Sequence, residues 1–191
     1  MKKTILVATG QQAIDSVVER FENYEVLSKV EYRNELEEAC NFFRPEILLI
    51  GEGLATNGLS KNHEPLMGIL LKLLKDYPNM RIIYLAGYVD LRDDAKVNNL
   101  GVLVMAGIYD IIHEKTLNVQ MLKNILDNPK KEEDMYYLIK RVNNSNSKTA
   151  KETFIDFEIP EEDVAKKENQ GAYDNLHLFT SIKPGTGKSF M

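Results

Sequence analysis

The sequence predicts an α/β protein built on a doubly wound, five-stranded parallel sheet. Three observations carry this. Short apolar runs alternate with longer segments of helical spacing through the first 127 residues. Ile47 to Ile50 is apolar without a break, as in a strand buried on both faces of a parallel sheet. Glycine or proline closes several of the periodic segments, at Pro45, Pro78 and Gly107.

The elements follow in order. Thr4 to Thr9 reads as the first strand. Gln11 to Phe21 reads as a helix, with Ile14, Val17, Val18 and Phe21 on one face. Glu25 to Tyr32 is the second strand. Leu36, Ala39, Cys40 and Phe43 mark the second helix, which Pro45 stops. After strand three comes a glycine-rich loop, GEGLATNGLSKNHEP. Leu66, Ile69, Leu70, Leu73 and Leu74 then give a strong third helix that Pro78 ends. Arg81 to Leu85 is strand four, and a more polar helix spans Leu91 to Met105. Ile108 to Ile112 is strand five. Leu117, Met121, Leu122, Ile125 and Leu126 make the fifth helix. Five such units imply right-handed crossovers, and the flavodoxin-like strand order suits this length.

Composition bounds the function classes. The chain has 191 residues, 43% hydrophobic and 28% charged, room for one ordinary domain and a short further segment. The net charge of -5 and the lack of a dense Lys/Arg cluster argue against nucleic acid as a partner. The single cysteine, Cys40, rules out an internal disulfide, and beside Phe42 and Phe43 it reads as core packing. The apolar run in MKKTILVATG is too short for a secretory signal. No apolar stretch reaches the ~20 residues of a membrane span. A cytoplasmic location without membrane insertion is expected.

Beyond Pro129 the composition changes. KKEEDMYYLIKRV is charged, with Met135, Leu138, Ile139 and Val142 on one stripe, and reads as a separate helix or an extension of the fifth. NNSNSKTAKE is a polar linker, and Phe154 to Pro160 is a short apolar-acidic stretch. Residues 1–127 are thus one domain, 128–172 a helix extension and linker, and 173–191 the start of another unit.

Three segments of the first domain resemble two-component receiver domains. RPEILLIGEG resembles the receiver's third strand, RIIYLAG its fourth, and AGIYDIIHEK the segment that carries its lysine. The functional residues do not carry over. The resemblance assigns the acceptor position to Gly51, with Glu52 beside it, and the hydroxyl position to Ala86. The lysine position falls on Glu114, with Lys115 next. Thr9, Gly10 and Gln11 replace the acidic pair. Phosphotransfer to aspartate needs a carboxylate nucleophile, carboxylates for Mg²⁺ and a cation for the phosphoryl oxygens. The expectation is a degenerate receiver site with no catalytic residue and no metal. Asp93 and Asp94 read as a solvated helix face. His63, His113 and His177 lack metal-ligand spacing.

Near the carboxyl end, Lys183-Pro184-Gly185-Thr186-Gly187-Lys188-Ser189 follows the strand-like run Leu176 to Ile182. A strand entering a glycine-rich turn with Gly-Lys-Ser is the setting of a P-loop. There, glycines let N–H groups approach phosphate, lysine neutralises charge and serine meets Mg²⁺. The motif resembles the deviant P-loop of the ParA/MinD superfamily, with Lys183 at the extra signature lysine. Pro184 replaces a glycine and removes one N–H.

A degenerate receiver, a linker and a deviant P-loop together resemble the TadZ/CpaE-type ATPases. That resemblance implies a localisation or interaction module serving a pilus-assembly or secretion machine, with protein partners, polar placement and a homodimer. It assigns ATP and Mg²⁺ to Lys183, Gly185, Thr186, Gly187, Lys188 and Ser189 in a full-length ATPase. This chain reads as an N-terminal fragment of a longer ATPase, or the product of an interrupted gene, with no cofactor and no ATPase activity of its own. Two other readings stay open: a phosphorylation-dependent regulator with an unusual acceptor, and a small-ligand domain using the Gly51 to Gly58 loop.

Overall fold

The computed structural model of the protein describes residues 2–58, 64–139 and the backbone of Asp156–Glu158. Strands β1 (Lys3–Ala8), β2 (Tyr24–Lys29), β3 (Ile47–Gly51), β4 (Arg81–Leu85) and β5 (Asp110–Ile112) form one parallel sheet in the order β2-β1-β3-β4-β5. This is the expected flavodoxin-like order. Helices α1 (Gln12–Val18), α2 (Leu36–Phe43), α3 (Leu66–Asp76), α4 (Asp94–Met105) and α5 (Val119–Asp127) join and follow the strands.

Strand side chains alternate between two apolar clusters, one on each face. Leu6, Leu48, Ile50, Ile82 and Tyr84 meet α2, α3 and α4. Ile5, Val7, Leu49, Ile83 and Leu85 meet α1 and α5. All five residues of β3 are buried, which accounts for its unbroken apolar run: it has no solvent face to make polar. Cys40 is buried in the first cluster, and burial pushes its thiol up to about 11.

Where elements differ from the sequence expectation, a local cap decides. Strand five begins at Asp110 rather than Ile108, because residues 106–108 finish α4. Gly107, at φ 103, donates its N–H to the Val104 carbonyl, and the Ile108 N–H reaches Leu103. That paired pattern is a Schellman ending, which needs a left-handed residue and so favours glycine. Helix α4 starts at Asp94 rather than Leu91, since the Asp93 side chain accepts the Lys96 N–H at 3.2 Å. Asp93 is therefore an N-cap. Leu117 lies on a short strand, β6 (Thr116–Asn118), and not on the fifth helix. Asn118 caps α5 instead, accepting the Met121 N–H at 2.9 Å.

The apolar core continues past residue 127. A 3₁₀ turn over Glu132–Met135 leads into α6 (Tyr136–Ile139), which packs against α4. Met135 and Leu138 are buried in the first cluster. Of the stripe seen in the sequence, Met135 lies on the turn and Leu138 and Ile139 on a helix separate from α5, while Val142 lies outside the described residues. Helix α4 buries Val97, Leu100, Leu103 and Val104 and packs against α6 as well as the core.

One buried ion pair ties the amino-terminal ends of β4 and β5 to α5. Arg81 holds Asp110 through two hydrogen bonds, at 2.7 and 2.8 Å, and donates to the carbonyls of Leu126 and Ile125. The Lys130 N–H adds a bond to Asp110 at 2.9 Å. This cluster lies at the opposite end of the strands from their carboxyl-terminal edge.

Candidate functional site

In open α/β sheets, ligands and chemistry belong at the carboxyl-terminal ends of the strands. Here that edge is formed by Thr9 and Gln11 after β1, Gly51 and Glu52 at β3, Ala86 after β4, and His113 to Lys115 after β5. Main-chain bonds hold the ends in register. The Glu52 N–H donates to the Leu85 carbonyl at 2.9 Å, and the Ala86 N–H to Ile112 at 2.8 Å. The structure therefore brings Gly51, Glu52 and Ala86 to neighbouring strand ends. Glu114 lies past the end of β5, and its side chain is exposed, as is that of Lys115.

Gly51, expected at the acceptor position, has no room for a side chain. A Cβ built on Gly51 would lie 2.4 Å from the Thr9 carbonyl oxygen, well inside van der Waals contact. Glycine is needed because the backbones of β1 and β3 approach so closely there. The next loop then folds over the edge. Leu54 is fully buried in the first apolar cluster, and Arg33 grips its carbonyl with Nε at 2.9 Å and a second guanidinium nitrogen at 2.6 Å. The Arg33 N–H donates to the Ala55 carbonyl at 2.8 Å, and the Asn57 N–H to Asn34 Oδ1 at 3.0 Å.

A second polar group sits beside this loop. Thr9, 1% exposed, donates its hydroxyl to Asp15 Oδ1 at 2.5 Å and accepts the Gln11 N–H at 3.0 Å. Burial raises the Asp15 carboxyl above its ordinary 3.8, with the Thr9 bond and Lys29 pulling the other way. The folded chain thus holds the Asp15 proton more tightly than the unfolded chain does. That stabilising contribution is full below the ordinary carboxyl range and is lost as pH rises through the raised folded value. Urea unfolding of wild type and Asp15→Asn from pH 3 upward checks this. The wild type should lose stability relative to the variant as pH rises through the acid range. A difference that is flat with pH would refute it.

A cleft of about 500 Å³ lies beside the loop, lined by Gly10, Asp15, Lys29, Glu31, Gly53 and Ala55. Its one lysine, Lys29, is paired with Glu19 at 2.8 Å, which leaves carboxylates facing the space. Under the sheet edge, burial pushes the Tyr84 hydroxyl up, with Glu52 adding to the shift and Arg33 opposing it. Past β5, His113 Nε2 and the Tyr137 hydroxyl are 2.6 Å apart, joining the edge to α6. Among the described residues, no three His, Cys, Asp or Glu side chains cluster as metal ligands. Divalent-metal chemistry of the receiver kind has no carboxylates at Thr9, Gly10 and Gln11 to rest on.

Sequence reading expected no acids at residues 9–11 and did not foresee the close approach at Gly51. Leu54 was the available signal: an apolar residue within a glycine-rich, largely polar loop. The Thr9–Asp15 pair had no spacing signature. Lys183, Gly185, Thr186, Gly187, Lys188 and Ser189, with His63 and His177, lie outside the described residues.

The fold is that of receiver domains. The chain is similar to the isolated REC domain of RcsB from Salmonella enterica serovar Typhimurium, solved with a phosphomimetic. The TM-score is 0.53 at 13% identity, covering 69% of this chain and 92% of that one. It is also similar to the two-component response regulator RcsB in complex with DNA, with a TM-score of 0.55 at 13% identity over 73% of this chain and 68% of that one. A further RcsB structure from Salmonella typhimurium gives 0.54 at 13% identity, over 73% and 66%. The chain thus spans about two thirds of the length of the whole regulators it matches. At these identities the likeness establishes fold alone. No family model matches the chain, and no curated protein sequence does. Among the described residues, no helix is long and apolar enough to cross a membrane.

Proposed function

We propose that the chain is a receiver-like protein-interaction module that takes no phosphate, attached to a ParA/MinD-like ATPase of the TadZ/CpaE type. The closed acceptor position carries the first half. Gly51 packs against the Thr9 carbonyl, and no acid stands at residues 9–11 to hold Mg²⁺. A domain that keeps the receiver sheet without its chemistry acts through its surfaces. Its partners on this reading are proteins of a pilus-assembly or secretion machine, with a second copy of the chain among them, and neither nucleic acid nor membrane.

The attachment rests on Lys183 to Ser189, whose glycines, lysine and serine are the residue types that bind ATP and Mg²⁺. The chain itself performs no hydrolysis on this reading, since phosphoryl transfer depends on positioning by a complete site.

Two experiments test the halves separately. Incubation with acetyl phosphate and Mg²⁺, followed by intact mass, should show no added phosphate. A stoichiometric adduct on any Asp or Glu would sink the module reading. The genomic reading frame beyond codon 191 tests the attachment. A strand ending in a Walker B carboxylate supports it, and a frame without one overturns it.

A further inference from the structure

Strand β6 stands outside the five-stranded sheet. Its partner is β7 (Asp156–Glu158), which runs parallel to it with Thr116 opposite Asp156, Leu117 opposite Phe157 and Asn118 opposite Glu158. β6 is held extended by its own anchors. Leu117 is fully buried in the second apolar cluster, and Asn118, at φ -111 and ψ 168, is fixed as the cap of α5. An extended strand fixed in this way offers N–H and C=O groups to any extended peptide that can pair with them.

The sequence around β7 has the matching pattern. Ile155, Phe157 and Ile159 alternate with Asp156 and Glu158, the period of two that a strand requires. In strand addition, main-chain bonds supply affinity and alternate side chains supply specificity.

We infer that β6 is a strand-docking edge for an extended apolar-acidic peptide, and that the chain's own Asp156–Glu158 fills it in cis. Three residue pairs make a short ladder, so the occupant is exchangeable. A tethered strand faces its edge at an effective concentration on the order of millimolar. A free peptide of the same pattern therefore competes only at such concentrations. The docked segment pairs with the strand that leads into α5, and its release would leave the main sheet untouched.

The test uses amide hydrogen exchange on the full chain. Asp156→Pro combined with Phe157→Pro removes two adjacent N–H groups. Neighbouring N–H groups in a strand point to opposite sides, so one of the two faces β6. The broken ladder releases β7, and with it the carbonyls that accept from β6, so at least one amide of Thr116 to Asn118 should exchange roughly tenfold faster or more, the loss of about one hydrogen bond. Protection in β1, β3 and β4 should stay unchanged. A synthetic peptide of residues 154–160, at millimolar concentration, should restore protection to the variant. The same peptide carrying both prolines should not. Unchanged exchange in the variant would overturn the inference, as would failure of the wild-type peptide to restore protection. Protection in the wild type that rises with protein concentration would show that a second copy fills the edge, and would overturn the cis assignment.

Discussion

Asp110→Ala is expected to lower the unfolding free energy of the protein by about 3–5 kcal/mol, the usual cost of removing one partner of a buried ion pair. The Asp110 side chain is 6% exposed and that of Arg81 17%, so water cannot replace the lost carboxylate. The substitution leaves a guanidinium without a counter-charge. It also orphans the Lys130 N–H, which donates to the same carboxylate. The carbonyls of Ile125 and Leu126 still accept from Arg81, and the negative end of α5 offsets part of the charge. Replacing both partners, with Arg81→Met and Asp110→Leu, should cost less than Asp110→Ala alone, because no lone charge is then buried. Urea unfolding followed by circular dichroism measures all three. A loss below about 1 kcal/mol for Asp110→Ala, the range of an exposed pair, would show that the pair is solvated and structurally minor.

Gly51→Asp restores the residue type that a phosphate acceptor needs, and it is expected to fail twice. The new Cβ would meet the Thr9 carbonyl oxygen at 2.4 Å and the Thr9 carbonyl carbon at 3.1 Å. These are backbone atoms at the end of β1, which is paired on both sides, with β2 and β3, and so cannot give way. A stability loss of about 3 kcal/mol follows, the upper range for overpacking a dense interior. Gly51→Ala should lose a similar amount, since it adds the same Cβ without charge. Gly58→Ala, where a Cβ meets nothing within 4 Å, serves as the control. Acetyl phosphate with Mg²⁺ should leave Gly51→Asp unmodified, because residues 9–11 still supply no metal ligand. A stable Gly51→Asp protein that takes up phosphate would refute the closed site.

The sheet was legible in the sequence because a parallel sheet buries its strands on both faces. Ile47 to Ile50 must then be apolar throughout, and no competing periodicity obscures it. The errors came where a cap overrode an apolar pattern. Ile108 looked like strand and is consumed by the end of α4. Leu117 fits the spacing of the fifth helix, yet Asn118 starts that helix one residue later. Neither outcome is visible in hydropathy alone, because both depend on which backbone group finds a partner first. Met135 and Leu138 were seen as a stripe, but their docking on α4 is a tertiary fact with no local signal. The site was legible only by what it lacks. Thr9 to Gln11 announced the missing acids, whereas the closure at Gly51 depends on a backbone approach that leaves no trace except the glycine itself.

That closure also bears on how such a sequence can change over generations. Any route from it to a phosphate-accepting protein must reopen the backbone at Gly51 and install acids at residues 9–11. The first step, taken alone, incurs the full stability loss and gains no chemistry, because the other parts are still absent. Proteins sit only slightly above the stability they need, so a lone substitution at this position is disfavoured before the others can join it. A change at Gly51 alone therefore lowers stability without supplying the other parts that phosphotransfer needs.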